Sequence, residues 1–287
     1  MKRERALFDE IIFPNGKSKA FTMSYDDGTI HDRRLVEIMN RYGIRGTFNL
    51  NAGFLGQTCW IGGLHGKLDI SKIEPDEVPT LYAGHEIAGH GLNHASPTDI
   101  GSSAYFYETI EDKAALEHLT WKLVRGYAYP FGAYDEKTKN VMQLAGYHYA
   151  RTVDTTRQFE LPTDFLAWKG TCHHNDPQLM QLAERFCRGE HFSLHTKLFY
   201  VWGHSYEFAD DDNWSCIEGL CSTLNKQGSD IWFATNIEIF DYVTAFRRLE
   251  YGAEGSLVYN PSALSVSLRR GGKTYTIAPL STSDLDR

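Results

Sequence analysis

The stretch Lys19-Ala20-Phe21-Thr22-Met23-Ser24-Tyr25-Asp26-Asp27-Gly28 predicts a β-strand that ends in two adjacent carboxylates and a glycine. An amphipathic helix is predicted next, over residues 32–42, ended by Gly43. A second short strand is predicted over residues 45–49. This β-α-β unit places both carboxylates at the C-terminal edge of its first strand, which is where ligands bind in α/β folds.

The rest of the chain also alternates between strand and helix patterns, which favours an α/β barrel over an open sheet. The pattern changes after residue 255, where two β-like runs joined by Gly271-Gly272 predict a hairpin. We therefore expect a main domain over residues 1–255 and a C-terminal β-extension over residues 256–287 that packs on the same domain.

The bulk composition limits the classes of partner and location. The 287-residue chain has a formal charge of −8 and no long basic run, which argues against nucleic acid and membranes as partners. The N-terminal residues lack the apolar stretch of a signal peptide. Five cysteines without a Cys-x-x-Cys pair indicate reduced thiols. We expect a cytoplasmic location, or secretion if a leader has been removed; the oligomeric state is not indicated.

Two histidines four residues apart, His90 and His94, follow a predicted strand. A helical turn would place both imidazoles on one face. With one carboxylate of the Asp-Asp pair, they would supply three ligands for a divalent cation, and the second carboxylate would be free to act as a base. Separately, a helix-capping Asp-Asp-Gly turn and a chance His-x-x-x-His pair explain the same residues. Their joint occurrence favours a hydrolytic metal centre.

Three further runs contain candidate functional residues. Tyr129-Pro130-Phe131-Gly132 is either a plain turn or a turn that presents a backbone N–H to an oxyanion. Val201-Trp202-Gly203-His204 ends an apolar strand in a histidine, which is either structural or a general acid. Cys172-His173-His174-Asn175-Asp176 is rich in ligand atoms, but consecutive residues rarely reach one ion. Helix capping by its last two residues, or groove lining by its histidines, is expected instead.

Four of these elements, in this order, resemble the polysaccharide deacetylase family with the NodB homology domain, carbohydrate esterase family 4, over roughly residues 18–250. The resemblance implies a distorted (β/α) barrel. It also implies a hydrolase that uses a metal-activated water to remove acetyl groups from N-acetylated, or O-acetylated, sugars or oligosaccharides. The Phe131 N–H would donate to the oxyanion of the reaction. Tyr129, Pro130 and Trp202 would lie with it around the oxyanion and the substrate.

The resemblance also assigns the catalytic and metal-binding residues. Asp26 would be the catalytic base and His204 the catalytic acid. Asp27, His90 and His94 would bind one divalent metal ion, with Zn²⁺ expected and Co²⁺, Ni²⁺ or Mn²⁺ as alternatives.

The chain departs from the family pattern at two supporting positions. Many members carry an arginine two residues before the proline, where it orients the base, whereas this chain has Ala128. Arg125 is therefore a candidate for that role. Asp154 is a candidate for the acid that tunes the catalytic histidine.

Two alternative functions remain open at this stage. Some proteins of the NodB fold hydrolyse ureides or imides without a metal, and a small cytoplasmic amide would suit the expected location; the intact ligand set argues against this. A carbohydrate-binding protein without turnover is the other alternative, and the presence of both Asp26 and His204 argues against it. Acetylated carbohydrate or a small amide is thus the expected substrate.

Overall fold

The computed structural model describes residues 9–188 and 197–286. Residues 1–8, on which the prediction of no signal peptide rests, lie outside the described residues. The described strands are β1 (Glu10–Ile12), β2 (Lys19–Asp26), β3 (Thr47–Leu50), β4 (Trp60–Gly63), β5 (Gly66–Asp69), β6 (Glu86–Gly89), β7 (Gly126–Ala128), β8 (Tyr149–Thr155), β9 (Trp168–Gly170), β10 (Cys172–His173), β11 (Lys197–His204), β12 (Ile231–Phe233), β13 (Glu250–Tyr251), β14 (Leu257–Asn260), β15 (Val266–Arg270), β16 (Lys273–Ile277) and β17 (Ser281–Asp284).

The α-helices pack mainly around the parallel strands. The described helices are α1 (Asp32–Arg41), α2 (Val78–Leu81), α3 (Ser102–Thr120), α4 (Glu136–Leu144), α5 (Leu179–Arg188), α6 (Ser205–Asp210), α7 (Trp214–Lys226) and α8 (Asn236–Arg247). None of the described helices is both long enough and apolar enough to cross a membrane.

The main sheet is parallel and curves into a barrel. Its strand order is β10-β11-β2-β3-β6-β7-β8-β9, with β12 also paired to β2. Only Thr171 separates β9 from β10 in sequence, so the two ends of this order come together and the eight strands form a nearly closed barrel. The predicted fold class, a distorted (β/α) barrel with a C-terminal hairpin, is confirmed.

The first β-α-β unit follows from its sequence pattern. Helix α1 buries Leu35, Ile38 and Met39 against the core and exposes its polar face. Gly43 follows with φ +64, a left-handed conformation that glycine adopts without a steric cost, and the chain turns into β3. The predicted helix and strand agree with the observed ones to within two residues at each end.

The segment after residue 255 is β-rich. β15 and β16 form the hairpin, in which Arg270 pairs with Lys273 across Gly271 and Gly272, and both glycines have positive φ. β15 also pairs with β1 from the other end of the chain, and β14 pairs with β13. Ala245 of helix α8 and Leu249 share a core with buried side chains of this segment, which are Val258, Val266, Leu268, Ile277 and Leu285. The domain division at residue 255 stays a prediction.

Candidate active site

The candidate site lies at the edge of the barrel where the parallel strands end. Asp26 is the last residue of β2 and Asp27 follows it, while His90 follows β6 and His204 ends β11. The register of β2 against β11 places Asp26 opposite His204. Because the C-terminal ends of parallel strands lie on one side of the barrel, side chains far apart in sequence come close together here.

Three residues of the site have left-handed backbone conformations, which residues other than glycine rarely adopt. These are Asp27 (φ 79), His94 (φ 54) and Phe131 (φ 59). Gly28 continues the turn after Asp27, and a Cβ atom there would lie 2.8 Å from a methyl group of Leu50. The glycine therefore permits the turn that brings both carboxylates to one site, as the sequence predicts. Unusual backbone conformations of this kind concentrate at functional sites.

Asp27, His90 and His94 converge. The Asp27 Oδ1 atom lies 3.9 Å from His90 Nε2 and 3.8 Å from His94 Nε2. The prediction that the two histidines share a helical turn is wrong, because the chain between them forms a non-helical turn. Glu108 of α3 holds that turn through its side chain, which accepts hydrogen bonds from the N–H and side-chain amide of Asn93.

The hydrogen bonds and protonation of these histidines suit a divalent cation. His90 Nδ1 lies 2.8 Å from the carbonyl oxygen of Ala128, so Nδ1–H donates and Nε2 keeps its lone pair toward Asp27. Burial lowers the pKa of His90 to about 4 and also lowers the pKa of His94, which leaves both rings neutral at pH 7. Buried Asp112 accepts the backbone N–H groups of His90 and Gly91 and fixes the position of His90. These residues fit the cation that the fold family implies.

Both oxygens of Asp26 are held by hydrogen bonds. Asn49 donates to Oδ1 at 2.7 Å, and the buried guanidinium of Arg151 donates to Oδ2. Burial alone would raise the pKa of Asp26, but the charges of Arg151, His90 and His204 outweigh it and lower the pKa to about 2. Asp26 is therefore ionised across the neutral range.

Arg151, and not Arg125, contacts Asp26, so the prediction that Arg125 supports this carboxylate is wrong. Arg125 precedes β7, at the opposite edge of the barrel, where its guanidinium pairs with Asp241 at 2.8 Å. Arg151 lies on β8 in register with Ala128, so the guanidinium comes from the strand next to the position where the family carries its arginine. A single sequence does not show this register, and no local motif marks Arg151.

His204 is paired with Glu207, one helical turn later in α6. His204 Nδ1 lies 3.4 Å from Glu207 Oε1, and Nε2 lies 4.0 Å from Asp26 Oδ2. Burial alone would lower the pKa of His204, but the Glu207 hydrogen bond and the Asp26 charge raise it. The prediction that Asp154 tunes this histidine is wrong, because half-exposed Asp154 pairs with Lys169 at 3.0 Å.

Glu207 also joins the ligand-rich stretch to the site. The Nε2 atoms of His173 and His174 each lie 3.2 Å from Glu207 Oε2. His173 Nδ1 accepts the N–H of Asn175, so its Nε2 carries the proton and donates to Glu207. This is the opposite tautomer from His90, and it places a proton on the nitrogen that His173 would need as a metal ligand. The ring nitrogens of His174 have no hydrogen-bond partner among the described residues, and the three groups lie close enough together to hold a cation. Asp176 accepts the backbone N–H two residues later, just before α5.

The turn at Pro130, Phe131 and Gly132 lies against the histidine pair. The Phe131 ring is 68% exposed and packs edge-on against the His94 ring, with 4.6 Å between centroids. Pro130 is buried, and a Cβ atom at Gly132 would collide with Val153. The turn therefore fixes Phe131 beside the site, while Pro130 has a structural role.

Tyr129 and Trp202 are buried, which corrects the expectation that they line the substrate site. Tyr129 is 1% exposed and its hydroxyl donates to the carbonyl of Leu166. The indole of Trp202 lies 4.5 Å from the guanidinium carbon of Arg151 and packs edge-on against His173. Trp202 thus supports the charged groups around Asp26 and His204 from within the barrel.

Comparisons with known proteins find one family model and several solved structures of similar fold. Residues 14–150 match the family model described as polysaccharide deacetylase. A protein from Mycobacterium smegmatis assigned as a polysaccharide deacetylase is 15% identical with a TM-score of 0.58, over 83% of this chain and 94% of that one. The chitin deacetylase of the fungus Colletotrichum lindemuthianum is 19% identical with a TM-score of 0.53, over 80% and 90%.

One structural match covers less than half of this chain, and a search of curated sequences finds no match. A Streptococcus pyogenes deacetylase, solved in complex with acetate, is 18% identical with a TM-score of 0.40; the match covers 46% of this chain and 55% of that one. The structural matches show a shared fold.

Replacing Glu207 with glutamine tests the pairing at His204. The carboxylate raises the pKa of His204, so Glu207→Gln should lower that pKa, while the glutamine oxygen can still accept the His204 backbone N–H. An NMR titration of the His204 ring measures this. Asp212→Asn, an exposed charge removal just after α6, is the matched control and should leave the pKa unchanged. An unaltered His204 pKa in Glu207→Gln would show that the pairing is wrong.

Proposed function

We propose that the chain, whose residues 14–150 match the polysaccharide deacetylase family model, is a metal-dependent hydrolase of that family. It would remove acetyl groups from N-acetylated sugars or oligosaccharides, with O-acetylated sugars and small amides as substrates to be compared. Asp27, His90 and His94 would hold the metal ion, and Zn²⁺ suits one carboxylate and two imidazoles.

One observation carries the proposal: a carboxylate whose pKa is lowered and a histidine whose pKa is raised face each other beside the ligand cluster. Asp26 Oδ2 lies 4.0 Å from His204 Nε2 and 4.0 Å from His90 Nε2. The pKa of Asp26 is lowered to about 2 and the pKa of His204 is raised. One group can therefore accept a proton while the other still holds one, which amide hydrolysis requires.

The residues divide the reaction between them. A divalent cation bound by Asp27, His90 and His94 would polarise water and the acetyl carbonyl. Asp26 accepts the proton of the attacking water, and Arg151 and Asn49 keep its carboxylate in place. His204 donates its proton to the nitrogen as the C–N bond breaks, which releases acetate and a free amine. The Phe131 N–H is the proposed oxyanion donor.

An acetate-release screen tests the proposed function. Acetylated sugars, their oligomers and small amides are incubated with the protein, with and without a chelator. We expect release that the chelator abolishes and Zn²⁺ or Co²⁺ restores, and we expect Asp26→Asn to lower kcat by at least about 10²-fold.

Three results would contradict the proposal in different ways. Full turnover by Asp26→Asn would show that Asp26 is not the catalytic base. Release that persists in chelator would support a metal-independent hydrolase instead. Sugar binding without release from any acetylated compound would support a carbohydrate-binding protein.

The two arginines make a matched pair for a further prediction. Arg151→Met removes the guanidinium that holds Asp26, so kcat/KM should fall on the order of 10²-fold, an effect comparable to impairing a general base. Arg125→Met removes an equal charge from the Asp241 pair at the other edge of the barrel and should leave kcat/KM within about twofold. Steady-state kinetics measures kcat/KM for both variants. Equal losses of kcat/KM would contradict a specific role for Arg151 at Asp26.

A further inference from the structure

Lys72 brings a positive charge to the proposed metal ligands. Its ammonium nitrogen lies 3.9 Å from Asp27 Oδ1, the oxygen that also faces His90 and His94. The two side chains of this ion pair are only 10% and 17% exposed. A cation on the ligand cluster and the lysine would therefore share one carboxylate, away from most solvent screening.

The backbone fixes the position of Lys72. Its N–H donates to the carbonyl of Gln57 at 2.9 Å, and Lys72 forms an antiparallel bridge with Thr29. On either side, Ile73 N–H donates to the carbonyl of Gly28, and Ser71 accepts from the residue after Thr29. The segment that returns from the β4–β5 hairpin is thus bound directly to the turn that follows Asp27.

The lysine has one close acidic partner. Across residues 9–188 and 197–286, Asp27 is the acidic side chain whose oxygen lies within 4.0 Å of the Lys72 nitrogen. Asp32 also acts on this charge from a greater distance, but it is fully buried, and burial raises its pKa to about 7, so it is a poor substitute. Lys72 therefore depends on Asp27 for charge compensation.

We propose that Lys72 competes with the divalent cation for Asp27 and thereby lowers the metal affinity of the site. The inference rests on the proposed function for the identity of the ligands. A cation about 2.1 Å from Asp27 Oδ1 would lie within about 6 Å of the ammonium group. Binding must therefore overcome both like-charge repulsion and the loss of an ion pair. The site would bind its metal more weakly, and lose it more readily, than a site with the same three ligands and no lysine.

Metal affinity without substrate tests this inference. Zn²⁺ and Co²⁺ binding is measured by competition with a chelating dye for the wild type, Lys72→Met, Lys72→Arg and Lys67→Met. Lys67 is exposed on β5, so Lys67→Met is a matched charge removal from the hairpin that precedes Lys72. We expect Lys72→Met to bind metal at least about tenfold more tightly. The other two variants should remain within about twofold of the wild type.

Thermal unfolding gives a second measurement on the same proteins. Without metal, Lys72→Met should have a lower Tm, because Asp27 loses its cationic partner; with metal, its gain in Tm should exceed that of the wild type. An affinity of Lys72→Met within twofold of the wild type, or weaker, would overturn the inference.

His90→Ala separates this inference from the proposed function. If the variant binds metal as the wild type does, the cation lies elsewhere, and both the proposed metal centre and the role of Lys72 are wrong. If His90→Ala loses the metal but Lys72→Met does not gain affinity, only the role of Lys72 is wrong.

Discussion

The site depends on one hydrogen bond, from His90 Nδ1 to the carbonyl oxygen of Ala128 at 2.8 Å. It selects the tautomer in which Nε2 has a free lone pair, and burial keeps the ring neutral, so the Nε2 atom of His90 is available to a cation. The acceptor belongs to β7, the neighbour of β6 in the barrel. The orientation of the His90 ring is therefore a consequence of the pairing of β6 with β7.

Neighbouring charges shift the pKa values of Asp26 and His204 in opposite directions. Arg151 lowers the pKa of Asp26, whereas Glu207 raises the pKa of His204. Trp202 packs against both Arg151 and His173, and His173 donates to Glu207. The packing of Trp202 thus connects the surroundings of Asp26 to those of His204.

The sequence predicted the features that local patterns encode. The first β-α-β unit, the Gly271-Gly272 hairpin and the grouping of Asp27 with two histidines come from periodicity, turn residues and motif order. Arg151 could not be predicted, because it reaches Asp26 through strand register. Glu207 had a signal, the three-residue spacing after His204 that is typical of a capping box, and this was missed. The prediction of a helical turn between the histidines was wrong, because Asn93 donates hydrogen bonds to Glu108 of α3 and the chain forms a different turn.

The central claim is that Asp27, His90 and His94 bind one metal ion, and anomalous diffraction from crystals grown with Zn²⁺ tests it most directly. We expect one strong anomalous peak about 2.0–2.2 Å from a carboxylate oxygen of Asp27 and from Nε2 of both histidines. A peak between His173 and Glu207 instead, or no peak at the three ligands under saturating Zn²⁺, would contradict the claim.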